Sequence, residues 1–365
     1  MNKYKIGVYA ICKNEENFID RWIDSMKEAD VIVVCDTGST DNTIEKLKSR
    51  GVVVKSIEVK PWRFDVARNL AMNLLPNDVD ICVSTDLDEV LEPGWRDKIE
   101  KTWTPKATRL RYSYTWNFNL DGSRGTSFIY EKIHKRYGFK WIKPVHEVLY
   151  YFGSEPDVYV TDESIQLNHY PDPNKSRNQY LSLLELSIKE FPNDDKDILY
   201  LGREYLFHNM YDKSIETLKK YLQMPNATWP DERCASMRFI ARSYIKKDNT
   251  QESIKWLYRA IAEAPHLREP YVEMAQLAYL QEDWLTVYSM IEKALSIKNK
   301  PCSYLTEDFC WDYNIYDLGA LSSYYLNLFD KSLEYATIAM ELSPKDDRLV
   351  NNYMLIKNRV DQLQS

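Results

Sequence analysis

From about Pro173 to its C-terminus the chain is nearly free of glycine and returns repeatedly to one pattern of residues. Ile198, Leu201, Gly202 and Tyr205 are followed by Ser214, Leu218 and Tyr221. Ile240, Ala241 and Tyr244 are followed by Ser253, Leu257, Ala260 and Pro265. Met274, Ala275 and Ala278 precede Val287, Ile291 and Ala294. Ala320 and Ser323 precede Ser332, Ala336, Ala339 and Pro344. The period is about 34 residues with longer insertions. Small residues at matching places are where the two helices of a hairpin touch, and the prolines end the second helix. One such hairpin cannot bury its apolar face alone, so successive hairpins stack into a solenoid with a concave surface. An unrelated helical bundle is the plainer alternative.

The first half has a different rhythm. Apolar runs at Tyr4 to Ile11, Val31 to Cys35, Val52 to Val59 and Asp80 to Ser84 alternate with helical stretches. Those stretches run roughly from Glu16 to Glu28, Asn42 to Ser49 and Asp65 to Leu74. Strands separated by helices of this length predict a mainly parallel, Rossmann-like α/β sheet with right-handed crossovers. Ligands of such sheets bind beyond the carboxyl ends of the strands. Between Arg109 and Val160 aromatic and β-branched residues dominate, and Asp121-Gly122 is a hairpin signal. Added antiparallel strands are expected there. The chain of 365 residues therefore divides into an α/β domain, 1–172, and an all-α repeat domain, 173–365.

Composition narrows the function classes. With 44% hydrophobic and 28% charged residues the chain has a folded protein's balance. It holds no apolar run of about 18 residues, and Met1 to Ile11 reads as a first strand and not a signal peptide. A cytoplasmic location is the expectation. The net charge of −7 argues against nucleic acid as the main partner. None of the six cysteines forms a CxxC pair, and Cys12, Cys35 and Cys82 are expected as small buried hydrophobes.

The segment Asp86-Leu87-Asp88-Glu89 directly follows an apolar strand. Two carboxylates one residue apart can share a hard cation that grips a diphosphate. Helix caps and turns also use aspartates, so position after a strand is what raises this segment above an isolated match. Asp36-Thr37-Gly38-Ser39-Thr40-Asp41 follows a strand as well. Gly38 permits a sharp turn, Asp36 can accept from a base or ribose, and Asp41 can cap the next helix. Arg68 can bond to phosphate.

Together, Ala10 to Glu16, Asp36 to Asp41, Phe64 to Asn69 and Asp86 to Glu89 resemble the family-two glycosyltransferases with the GT-A fold. The repeats resemble tetratricopeptide repeats. A GT-A domain with a tetratricopeptide-like solenoid after it is similar to a subgroup that includes the peptide S-glycosyltransferase modifying the bacteriocin sublancin. The resemblance implies a nucleotide-sugar site at Asn14, Glu15, Asp36, Gly38, Arg68 and Asp86. It implies Mn²⁺ or Mg²⁺ held by Asp86 and Asp88, and inversion at the anomeric carbon. It also points to His146-Glu147, a pair found at this place in repeat-containing members. An inverting displacement needs one general base. Glu147 is the first choice and His146 the alternate, against an ion pair of Glu147 with a cation such as Lys143. His169 is a third metal ligand, a diphosphate contact or a structural histidine. The chain departs from the pattern of processive synthases in lacking a QxxRW segment, which favours transfer of a single sugar.

The expected function is therefore transfer of one sugar from a nucleotide-sugar, UDP-glucose or a related UDP-hexose, to a peptide or protein side chain held by the repeats. A glycan or a modified DNA base is the alternative acceptor. A repeat scaffold carrying a vestigial transferase domain is the alternative of another class. Homo-oligomerisation stays open.

Overall fold

The computed structural model describes residues 3–119, 122–172, 179–301 and 303–364. The chain divides into two compact units: residues 1–192 with 302–304, and residues 193–301 with 305–365. The expected boundary at 172/173 adjoins residues 173–178, which lie outside the described residues.

The first unit opens with β1 (Ile6–Cys12), α1 (Ile19–Met26), β2 (Val31–Asp36), α2 (Thr43–Ser49), β3 (Val53–Ser56), α3 (Phe64–Asn73) and β4 (Ile81–Ser84). It continues with β5 (Glu89–Leu91), α4 (Trp95–Thr102), β6 (Arg109–Thr115), β7 (Ser127–Lys135), β8 (Phe139–Ile142), β9 (Val148–Tyr151), β10 (Tyr159–His169) and α5 (Tyr180–Glu190). Eight strands form one sheet in the order β3-β2-β1-β4-β7-β6-β10-β5, and β8 and β9 form a separate hairpin. β3, β2, β1 and β4 are mutually parallel. β7 turns the sheet antiparallel against both β4 and β6. The chain steps one way from β1 to β2 and returns to β1's other side with β4. A crevice opens at such a switch point. β6 and β7 are joined through a Phe118–Arg124 bridge and a left-handed Gly122. Asp121, half of the expected hairpin signal, lies outside the described residues.

Alternation along β1 assigns its side chains to opposite faces. Ile6, Val8 and Ala10 join a core with Ile19 and Trp22 of α1 and Trp95 and Ile99 of α4. Tyr9 joins a second core with Ala71 and Met72 of α3 and Phe139, Trp141 and Leu149 of the hairpin. Both faces of the parallel strands are thus covered, which is why these strands read as continuous apolar runs. Cys12, Cys35 and Cys82 are buried free thiols in those strands.

The second unit is helical: α6 (Asp195–Phe207), α7 (Tyr211–Gln223), α8 (Pro230–Ile245), α9 (Thr250–Glu263), α10 (Glu269–Tyr279), α11 (Trp284–Ser296), α12 (Tyr313–Tyr325), α13 (Phe329–Leu342) and α14 (Asp347–Gln364). Four hairpins turn in the same way. Asn209, Asp248, Glu282 and Asn327 each adopt a left-handed φ between 56° and 59° after the first helix of a pair. The next residue's amide then donates to a carbonyl five residues back: Met210 to Tyr205, Asn249 to Tyr244, Asp283 to Ala278 and Leu328 to Ser323. This closure satisfies the last carbonyls of each first helix. The small residues lie at the helix crossings, where Ser214 Oγ donates to Gly202 O and Ser332 Oγ to Ala320 O, each at 2.8 Å. The repeat geometry is tetratricopeptide-like. Among the described residues no helix is long and apolar enough to cross a membrane.

A Cβ at Gly202 would stand 2.5 Å from the Leu218 side chain. Gly202→Val should therefore destabilise the protein by about 1–3 kcal/mol in denaturant unfolding. Pairing it with Leu218→Ala should cost less than the two losses added. Simple additivity would mean that the helices do not meet there.

Candidate active site

Three loops leave the carboxyl ends of β1, β2 and β4 on one edge of the sheet. The loop after β1 is stitched to the loop after β2. Asn14 takes a left-handed φ of 56°. Its amide donates to Ser39 Oγ at 2.8 Å, and its Oδ1 accepts from Thr40 N at 2.7 Å. Glu15, 6% exposed, donates its amide to Thr43 Oγ1. Asp36 ends β2 at 1% exposure, and its Oδ2 accepts from the amides of Gly38 at 3.0 Å and Ser39 at 3.1 Å. Gly38 has a φ of 109° with open space where a Cβ would stand, so the turn needs glycine for its backbone and leaves room beside it. Asp41 accepts from Thr43 N, the first residue of α2, but the helix cap is Asn42, whose side chain makes no capping bond, so Asp41 stands one residue before the expected capping position.

The second cluster is electrostatic. Arg68 lies on α3 at 5% exposure. Its Nη2 stands 2.9 Å from Asp86 Oδ1, and its Nε bonds to the Glu147 carboxylate. Its Nη1 is buried with no hydrogen-bond partner among the described residues. Burial alone would lower the arginine's pKa, but Asp86 and Glu147 outweigh it and hold the guanidinium well above its ordinary value. Glu147 thus meets a cation, which is Arg68 and not the neighbouring Lys143. His146 takes a left-handed φ of 48°, and its exposed ring stacks on Tyr180, 5.8 Å between centroids.

The third cluster is Asp88 with His169, both less than one-tenth exposed. His169 Nε2 is 3.5 Å from Asp88 Oδ2. Its Nδ1 is 2.9 Å from the carbonyl of Trp116, which can only accept, so Nδ1 carries the proton. The Asp88 carboxylate offsets the lowering effect of burial and raises the imidazole's pKa. In its neutral form this histidine presents an Nε2 lone pair towards Asp88, the orientation of a metal-ligating histidine steadied by a backbone carbonyl. Among the described residues no group of three or more acidic, histidine or cysteine side chains could hold a metal by itself. Asp88 offers the carboxylate oxygen by which Mg²⁺ or Mn²⁺ is commonly held beside water and substrate phosphates, with the His169 imidazole next to it.

Sequence reasoning did not single out Lys132 or the task of Glu89. Lys132 of β7 is 7% exposed, with Nζ 3.7 Å from Asp86 Oδ2 and 3.6 Å from Glu89 Oε1. Burial would lower its pKa, yet Glu89 above all holds it well above the ordinary value. Glu89 accepts from Asp86 N at 2.9 Å and from Tyr114 Oη at 3.1 Å. A signal was present: a lysine in phase with Tyr130 and His134 on an aromatic, β-branched strand faces inward.

Residues 8–144 match the profile of Glycosyl transferase family 2. The matched stretch contains the strand ends, Arg68, Asp86 and Asp88, and it stops before His146, Glu147 and His169. This stretch is thus similar to family 2 glycosyltransferases, which supports glycosyltransferase activity. No curated protein matches the chain. A crystal structure of MamA is 19% identical, covering 49% of this chain and 99% of that one, with a TM-score of 0.37. The C-terminal part of a TPR repeat-containing protein from Cytophaga hutchinsonii is 15% identical over 51% of this chain and 68% of its own, with a TM-score of 0.40.

Removing Arg68 takes the bonded cation from Glu147 and from Asp86, leaving Lys132, 3.7 Å away, beside Asp86. Arg68→Met should cost about 3–5 kcal/mol of stability in denaturant unfolding. Unchanged stability would mean that the pairing seen here is not populated in solution.

Proposed function

We propose that this chain is a metal-dependent, inverting glycosyltransferase that moves one sugar from a UDP-hexose, such as UDP-glucose, to a peptide or protein side chain held by the repeats. The observation that carries the reading is the convergence of Arg68, Asp86, Asp88 and His169 at the strand ends inside and just beyond the family 2 match. Asn14, Glu15, Asp36 and Gly38 would form the nucleoside end of the site. Arg68 would offer its spare Nη1 to a diphosphate oxygen, a charge-assisted bond that the buried nitrogen otherwise forgoes.

Asp88 and His169 Nε2 would hold Mn²⁺ or Mg²⁺, while Asp86 is already engaged by Arg68 and Lys132 and would steady both cations beside it. The divalent ion supplies neutralising charge to the departing nucleoside diphosphate. Glu147 would accept the acceptor's proton as its oxygen, sulfur or nitrogen forms a bond to the anomeric carbon. The bond from that carbon to the diphosphate breaks on the opposite side, and its electron pair leaves with UDP. Arg68 fixes the direction of the Glu147 carboxylate. The same bond occupies one Glu147 oxygen, which favours exposed His146 as the second candidate base. A concave helical-repeat surface suits an extended polypeptide acceptor, including the sublancin type of substrate.

Purified protein should hydrolyse at least one nucleotide-sugar slowly in the presence of Mn²⁺, and chelation should stop it. Asp88→Ala should lower that rate about 100-fold or more, since the ion is worth several kcal/mol of charge stabilisation. Glu147→Gln should lose transfer to an acceptor yet still bind UDP. A protein that hydrolyses none of a panel of nucleotide-sugars, and is not stabilised thermally by UDP with Mn²⁺, would instead be a repeat scaffold.

A further inference from the structure

The turn from Asp86 to Glu89 is closed on itself, because the Glu89 carboxylate accepts from the amide of Asp86. Glu89 is only 2% exposed. A carboxylate that deep needs a counter-charge, and Lys132 supplies it from the neighbouring part of the sheet. The same ammonium lies 3.7 Å from Asp86 Oδ2, an oxygen that also accepts from Arg68 Nη2 at 3.1 Å. Tyr114 donates to Glu89, and the Tyr130 ring lies 4.8 Å from the Lys132 Nζ, so the pair is walled by aromatic side chains. Lys132 is hydrogen-bonded to neither carboxylate at 3.6 and 3.7 Å. Its influence on them is charge at close range, which a low-dielectric wall strengthens.

We infer that Lys132 is a positioning residue for the diphosphate subsite: its charge holds Glu89 against the amide of Asp86, and thereby aims Asp86 and Arg68. The inference rests on the reading of this site as a nucleotide-sugar site. Lys132 itself touches no substrate in this account. Its effect passes through Glu89, so the need for it should vanish when Glu89 is neutral.

The test uses the full chain, with UDP in Mn²⁺ as the probe, in five proteins: wild type, Lys132→Met, Lys132→Arg, Glu89→Gln, and Lys132→Met combined with Glu89→Gln. Titration calorimetry reads UDP affinity, and thermal unfolding reads stability separately. Lys132→Met should weaken UDP binding by about 10- to 100-fold, the usual effect of losing a partner behind a ligand group. Lys132→Arg should keep most of the affinity. The double variant should recover most of what Lys132→Met loses, a coupling that a double-mutant cycle isolates. Recovery of thermal stability without recovery of UDP affinity would overturn the inference and make Lys132 a direct ligand contact. Unchanged affinity in Lys132→Met would overturn it outright. Wild-type protein that takes up no UDP would instead sink the nucleotide-sugar reading, and the inference with it.

Discussion

A guanidinium under a sheet edge is stable only while its counter-charges stay in place, and Arg68 makes three separate stretches of chain depend on one another. It rides on α3, reaches Asp86 at the exit of β4, and reaches Glu147 ahead of β9. Taking a charge out of water costs several kcal/mol, so these contacts are not optional decoration. Glu147, Asp86 and the spare Nη1 are brought within one arginine's reach. Lys132 is a second buried cation beside Asp86, with Glu89 as its other anchor. The result is a chain of alternating charges at the switch point of the sheet.

The parts of this arrangement that follow local rules were legible in the sequence. The strands and helices of the parallel half fall close to where apolar runs and helical periodicity put them. Asp36 ends its strand, and Gly38, Asp86 and Asp88 follow theirs. Asp41 bonds the first amide of α2 from one residue before the cap, an offset that spacing alone left open. Pairings across long stretches were not legible. Glu147 chose Arg68, 79 residues away, over Lys143, four residues away. No spacing rule encodes that, since it depends on how the β8–β9 hairpin packs on α3. The histidine's proton is set by the carbonyl of Trp116, 53 residues distant, which composition could not indicate. The mixed order of β7, β6, β10 and β5 has the same cause.

The repeats show the converse. Their apolar and small positions carry the periodicity openly, because each must fit between two helices. Their turns carry none, because a left-handed residue serves whether it is Asn209, Asp248, Glu282 or Asn327. Asparagine and aspartate tolerate that conformation more readily than glutamate, so Glu282 is held there by the turn's backbone bonds.

The account stands or falls on what Asp88 and His169 hold when a nucleotide is bound. Anomalous scattering from a crystal grown with UDP and Mn²⁺ tests this most directly. The account predicts one manganese peak between the Asp88 carboxylate and the Nε2 of His169, with diphosphate oxygens on the same ion and within reach of Arg68. A manganese peak elsewhere, or UDP bound away from these strand ends, would contradict it.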